Sequence, residues 1–346
     1  MVPAAVADRE AREELEDREL APGATRALGA GNRQCREEPD PWRTCFERDR
    51  DRILHASAFR RLAGKTQVFV FPADFQRTRL THALEVAQVA TAISRGCRLN
   101  VALAEAIALG HDCGHGPGGH ASEEALSPYL AGGFDHATWG ADVTLAPLNL
   151  CAETLDGVRN HSWSRPAPST PEGEVVALAD RIAYSAHDLE DAVHSGLVSP
   201  ADLPAEVSGW CGTRRSDQLR SFVTDVVRST HLHGRVCMSD EAGSALQHLR
   251  AFNYDRIYMR GASMEQSRAV IALLRSLVCY FLDTRSALPP PVAAGMGPEG
   301  DEDERVLRVV AYVAGMTDRF ACDQAVKLLG WTAERLPKGF DVPGGG

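Results

Sequence analysis

Apolar residues recur at intervals of three and four through most of this chain, and almost nowhere at intervals of two. Between residues 77 and 95, Leu80, Ala83, Leu84, Ala87, Ala90 and Ile93 fall on one face of a 3.6-residue helix. Between 174 and 195, Val175, Leu178, Ile182, Ala186, Leu189 and Val193 do the same. The same reading predicts helices over 101–112, 153–160, 216–230, 239–250, 264–284 and 306–329. Gly114, Gly116 and Pro117 stop the helix over 101–112. A short extended piece (66–71), a proline-rich loop (164–171) and a Pro/Gly/acidic loop (286–304) separate the helices. The expected fold class is all-α.

At 346 residues the chain is long enough for a large core without staples. The nine cysteines form no CxxC pair, which argues against a disulfide framework and for reduced thiols in a cytoplasmic setting. No basic segment followed by an apolar run opens the chain, so no signal peptide is read there. The most apolar stretch, 269–282, is broken by Arg275 and too short to span a bilayer, so no membrane partner is expected. The net charge of -10 argues against a coat for nucleic acid. One basic island stands out from that balance. Arg43, Arg48, Arg50, Arg52, Arg60, Arg61 and Lys65 alternate with Phe46, Ile53, Leu54, Phe59 and Leu62, as on an amphipathic helix with a basic face able to touch a nucleic acid. Residues 1–41, rich in charge, Ala, Gly and Pro, are expected to form a mobile, loosely attached arm. A catalytic core is expected over 42–200, a C-terminal helical region packed on it over 201–335, and a flexible tail over 336–346.

Six of the twelve histidines fall between 82 and 161: His82, His111, His115, His120, His136 and His161. His111-Asp112 ends one predicted helix, His82 lies on the helix before it and Asp180 on a later one. Two imidazoles and two carboxylates form a mixed N/O set suited to Mn²⁺, Fe²⁺, Co²⁺ or Zn²⁺ rather than a soft thiolate site. His120 and Glu123 stand three apart and share a helical face, an arrangement able to serve as a general acid/base unit. Asp180, Tyr184, His187, Asp188 and Asp191 form a polar stripe opposite the apolar face of their helix.

These residues carry a resemblance. Thr78-Arg79-Leu80-Thr81-His82, His111-Asp112-Cys113-Gly114-His115 and Ala179-Asp180-Arg181 resemble the H…HD…D signature of HD-domain phosphohydrolases. Phe59-Arg60-Arg61-Leu62, Lys65-Thr66-Gln67-Val68-Phe69 and Ala314-Gly315-Met316-Thr317-Asp318-Arg319-Phe320 extend the similarity to the bacterial deoxyguanosinetriphosphate triphosphohydrolase-like proteins, from about residue 42 to 330. The resemblance implies an HD-domain helical fold with additional C-terminal helices. It implies metal-dependent hydrolysis of deoxynucleoside triphosphates (dGTP or other dNTPs) to a deoxynucleoside and inorganic triphosphate. His82, His111, Asp112 and Asp180 would hold a divalent metal (Mg, Mn, Co or Fe). His120 and Glu123 would be catalytic, His115 would contact phosphates, and His136 would be a further pocket histidine. Arg79 and Arg181 would touch phosphate, Tyr184 would pack on the deoxyribose, and Asp188 would accept from the 3′-hydroxyl. A homo-oligomer is expected on the same ground. Gly118-Gly119 stands where the family often has an aromatic residue before glycine, which is expected to loosen the loop before His120. Cys113 replaces a common leucine. No motif identifies the base. Two other readings remain at this point: an HD-type hydrolase acting on another nucleotide, and a dNTP-sensing regulator that binds single-stranded nucleic acid.

Overall fold

The computed structural model describes residues 7–68, 76–294 and 302–338. Its helices run α1 (Arg9–Glu19), α2 (Cys45–His55), α3 (Ser57–Arg61), α4 (Arg79–Cys97), α5 (Val101–Gly110), α6 (His120–Leu126), α7 (His136–Trp139) and α8 (Ala152–Asn160). They continue as α9 (Pro171–His194), α10 (Ala205–Cys211), α11 (Arg215–His233), α12 (Asp240–Asn253), α13 (Gly261–Asp283), α14 (Pro290–Ala293), α15 (Glu302–Ala314) and α16 (Asp318–Leu329). No strand forms among the described residues, where pairing is limited to the isolated bridges Arg33–Cys151 and Thr66–Thr78. The all-α expectation holds. Residues 69–71 of the expected extended piece, 295–301 of the acidic loop and 339–346 of the expected tail lie outside the described residues.

Local chemistry sets the ends of the helices that matter for the site. The Asn100 side chain accepts the Leu103 N–H at 3.2 Å and starts α5. Thr170 caps α9 by accepting from Gly173 N–H at 3.1 Å, and Pro171 occupies the first helical position. The helix expected over 306–329 is two, because the chain turns at Gly315–Met316 and Thr317 starts α16 by accepting the Phe320 N–H at 3.4 Å.

α5 is apolar apart from Glu105, buries most of its circumference, and packs between α2, α4, α8 and α9. It centres a first core that also takes Val207, Phe222, Val226, Leu246 and Leu249 from α10–α12. A second core joins α6, α13, α15 and α16 with Phe134 and Trp139. The two cores do not follow the division expected at residue 200, since the C-terminal region packs on the core through its first helices. α10–α12 belong with the first core, whereas Ala125, Leu126, Phe134 and Trp139 belong with the second.

Two further expectations give way. The loosely attached arm is, from Asp8 to residue 41, a docked segment. Ala24 and Ala27 are buried in the first core, and Thr25 donates its N–H and hydroxyl to Glu172 at 3.1 and 2.7 Å. Buried Arg33 pairs with buried Asp49 at 2.6 Å. Small alanines and one buried ion pair do this, which mean hydrophilicity conceals. The basic island over 43–65 is largely neutralised by its own chain. Arg43 pairs with Asp40 (2.8 Å) and Asp51 (2.9 Å), Arg48 and Arg52 with Glu37 (2.8 and 2.6 Å), and Arg50 with Asp51 (2.8 Å). Lys65 is buried. A face spent on internal pairs offers little to a polyanion. All nine cysteines are free thiols. Among the described residues no helix is long and apolar enough to cross a membrane.

Candidate active site

His82 projects from α4, Asp180 from α9, and His111-Asp112 from the turn that ends α5. Their ligating atoms converge. His82 Nε2 is 3.1 Å from Asp180 Oδ1 and 3.9 Å from Asp112 Oδ2. His111 Nε2 lies 3.6 Å from Asp112 Oδ1 and 3.7 Å from Asp180 Oδ1. The Nδ1 of His111 is turned to the Ala108 carbonyl at 2.6 Å, which fixes the ring so that Nε2 faces the carboxylates. That Nε2 is buried and makes no hydrogen bond. An orphaned imidazole nitrogen among two carboxylates and a second imidazole fits a divalent cation of intermediate softness.

The turn owes its shape to glycine. A Cβ on Gly114 would stand 2.0 Å from the His136 carbonyl and 2.4 Å from the Gly140 nitrogen, so only glycine lets the turn close against α7. Gly118 and Gly119 both have positive φ, at 73° and 62°. A Cβ on Gly119 would meet Arg79 Nη2 at 2.6 Å, and one on Gly118 would strike Val270 at 2.4 Å. The expected loosening before His120 is therefore corrected. The two glycines permit tight packing, and the Gly118 N–H is tied to Asp318 Oδ1 at 2.8 Å.

A cluster of imidazoles adjoins the ligands. His115 stacks on His136 with ring centres 3.7 Å apart, and His120 meets His115 edge-on at 5.0 Å. Their charge states diverge. Burial lowers the His120 pKa to about 4, helped by Arg79 and His136. Burial and Arg79 also press His115 well below its ordinary value. Burial opposes a charge on His136 too, but Glu123 outweighs it and raises the pKa. Glu123 Oε1 is 2.5 Å from His136 Nδ1 and accepts the His136 backbone N–H at 3.0 Å. This corrects the expected pairing of His120 with Glu123: they share a face, but the carboxylate bonds to His136. Burial disfavours the charge on Asp112, yet Arg79, His111 and His115 hold its pKa well below the carboxylate range.

The ligands open onto a cavity of about 550 Å³ between the two cores, with Ala121 and Val270 of the second core in its wall. His82, Asp112, His115, His120, His136, Asp180, Arg79, Arg181, Tyr184 and Asp188 all line it; His111 and Glu123 stand behind that lining. Arg79 is 1% exposed and pairs with Asp112 at 2.6 Å, while its Nε and Nη2 make no hydrogen bond. Arg181 lies under the Trp163 ring, 3.0 Å from its centre. On the far wall the Tyr184 hydroxyl accepts from Arg250 Nε at 2.6 Å, and Tyr258 donates to Asp188 Oδ2 at 2.6 Å. Arg250, Tyr254, Tyr258, Gln67 and Trp163 line the cavity and were absent from the expected set. So was His161, whose Nε2 is 3.2 Å from His136 Nε2 and which groups with His111 and Asp180 as a possible ligand. Its place among the six clustered histidines was the signal. Nothing local marks the others. Tyr254 and Tyr258 sit on a π-helical continuation of α12 (Tyr254–Tyr258), a register that no apolar spacing announces.

The HD domain family matches residues 79–185, and the phosphohydrolase-associated domain family matches 236–327. The chain is 41% identical over 321 residues to a deoxyguanosinetriphosphate triphosphohydrolase-like protein of Caldanaerobacter subterraneus subsp. tengcongensis, covering 90% of this chain and 93% of that one. It belongs to this family of HD-domain proteins. Similarly named relatives from Clostridium perfringens (strain SM101) and Desulfatibacillum aliphaticivorans are 38% identical over 84% of this chain and 89% of theirs, and 37% over 92% and 97%. A hypothetical protein from Aquifex aeolicus, of solved structure, superposes with a TM-score of 0.47 at 19% identity, over 75% of this chain and 71% of that one. Family membership makes the chain an HD phosphohydrolase, and the convergent His/Asp cluster places a metal-binding group at its centre.

Proposed function

We propose that this protein hydrolyses deoxynucleoside triphosphates to the deoxynucleoside and inorganic triphosphate. The observation that carries the reading is a single cavity that joins a His/Asp ligand cluster and Arg79 to Tyr184, Asp188 and Tyr258, with Arg250 bonded to Tyr184. The shared name of the relatives supports it. His82, His111, Asp112 and Asp180 would hold a divalent cation, which supplies Lewis acidity at a phosphate oxygen and lowers the pKa of a bound water.

The chain's own groups divide the remaining work. Arg79, held by Asp112 through one nitrogen, keeps two further nitrogens, Nε and Nη2, for phosphate oxygens. His136, whose pKa Glu123 raises against its burial, stands beside them and favours the charged form. His120, neutral and open to the cavity, accepts the proton of the attacking water. Neighbouring imidazoles whose pKa values are moved in opposite directions suit this division. Water adds at the α-phosphorus, the P–O5′ bond breaks, and the proton taken up by His120 passes to O5′, which leaves as the hydroxyl of the deoxynucleoside. Tyr184, pinned by Arg250, forms a wall against the sugar, where an added 2′-hydroxyl would clash or lie unpaired. Asp188 faces the 3′-hydroxyl.

A panel of dNTPs and ribonucleotides, assayed with Mn²⁺, Mg²⁺, Co²⁺ and a chelator, tests this reading. Turnover of at least one dNTP, lost with the chelator and reduced 10²–10⁴-fold in His120→Ala, is expected. Asp112→Ala should be inactive at every metal concentration. A ribonucleotide preferred over every dNTP would overturn the assignment. Assembly into a homo-oligomer is part of the same proposal, and a strictly monomeric, fully active enzyme in light scattering would contradict it.

A further inference from the structure

A second cavity, of about 190 Å³, lies behind the metal-ligand turn and shares no lining residue with the catalytic one. Arg61, Lys65, Thr144, Trp139, Cys113 and Gly315 are among its walls, and no carboxylate lines it. Lys65 is 3% exposed. Its ammonium donates to two uncharged partners, the carbonyls of His115 and of Ala314, the latter at 3.0 Å. Asp318, the acid whose charge Lys65 feels, is already occupied. Its Oδ2 accepts the Thr66 N–H at 2.8 Å and hydroxyl at 2.5 Å, and its Oδ1 accepts the Gly118 N–H. Arg61 makes no hydrogen bond or ion pair with any described residue, unlike the arginines of α2. Its Nη2 lies 3.9 Å from where a Cβ on Gly315 would stand, at the cavity wall. Burial lowers the pKa of both cations, Lys65 to about 8, and each is further lowered by a neighbouring arginine.

A buried ammonium with only uncharged hydrogen-bond partners, and an exposed guanidinium with no partner among the described residues, put two positive charges around one acid-free space, an arrangement that suits an anion. We propose that this cavity is a second anion site that takes a single phosphate group, either inorganic phosphate or the terminal phosphate of a nucleotide. Arg61 supplies a planar fork at the mouth, Lys65 a point charge within, and Thr144 a hydroxyl. The space is smaller than the roughly 300 Å³ at which pockets for whole drug-sized ligands begin, so a nucleoside would remain outside. The site borders the catalytic centre: Lys65 holds the carbonyl of His115, the next residues Thr66 and Gln67 line the catalytic cavity, and Cys113 follows Asp112. The proposal does not depend on which nucleotide the catalytic cavity takes.

Calorimetric titration of the full-length protein with inorganic phosphate, at constant ionic strength, tests it without reference to turnover. Wild type should bind phosphate, and so should His136→Gln, altered only in the catalytic cavity. Arg61→Gln should weaken that binding about tenfold or more, the loss expected of one charge-assisted contact. Thr144→Val, which preserves side-chain volume, should weaken it by a smaller factor and stands as the test if Arg61→Gln unfolds, as thermal melts would show. Nucleotide that displaces phosphate from His136→Gln identifies a nucleotide tail as the ligand; failure to displace it identifies inorganic phosphate. Absence of phosphate binding, undiminished binding in Arg61→Gln and Thr144→Val, or a loss confined to His136→Gln would overturn the proposal.

Discussion

At the scale of single residues, burial and pairing set charge states that the residue types do not. Asp188 is buried against Tyr258, and burial pushes its pKa up to about 7, although the Tyr258 hydroxyl and the nearby His82 and Arg77 draw it down. A carboxyl whose folded pKa lies above its ordinary value of 3.8 binds its proton more tightly in the native state. Its contribution is therefore most favourable at low pH and is lost as pH rises from about 4 to about 7. Asp188→Asn, neutral throughout, should melt at a higher temperature than wild type at pH 8, with the gain shrinking toward zero at pH 4. A gain independent of pH in calorimetric melts would refute this. The same variant should raise KM for the nucleotide, since one carboxylate oxygen becomes an NH2 donor and the single oxygen left cannot accept from both Tyr258 and the 3′-hydroxyl.

At the scale of elements, the site depends on a few close approaches. Gly114→Ala would drive a methyl group into the backbone of α7. We expect it to displace His111 and Asp112 and to lose bound metal, measured by elemental analysis of the purified protein, while α9 and its Asp180 stay folded. The docked N-terminal segment hangs on Glu172, which also accepts the Asn100 N–H at 2.9 Å at the start of α5. Glu172→Ala should cost about 2 kcal/mol or more, because two backbone donors lose their acceptor. That corresponds to a fall of about 3 °C or more in melting temperature. An unchanged melt would show the segment to be loosely held after all. What the sequence discloses follows the same division. α4, α5 and α9 are legible because their apolar spacing is strong, and the ligands His82, His111, Asp112 and Asp180 are legible because they sit at fixed places on those helices. Glu123 is read with His120 because three-residue spacing fixes a face, but the orientation of α7 gives it to His136. Arg250, Tyr258 and Asp318 reach their partners across 66, 70 and 252 residues, and nothing in their neighbourhoods signals it.

At the scale of the molecule, the catalytic cavity lies where two cores meet, so its shape depends on their mutual packing. Asp318 of α16 holds Thr66 and the Gly118 loop together. The net charge of -10 describes the surface, whereas a triphosphate meets the local field of Arg79, Arg181, Arg250 and His136. The central claim is that water attacks the α-phosphorus and that the triphosphate leaves intact. Hydrolysis of a dNTP in ¹⁸O-labelled water, with the products separated and weighed by mass spectrometry, tests it most directly. The account predicts unlabelled deoxynucleoside and inorganic triphosphate carrying one ¹⁸O atom. Label found in a deoxynucleoside monophosphate, in pyrophosphate or in orthophosphate as the first product would contradict it.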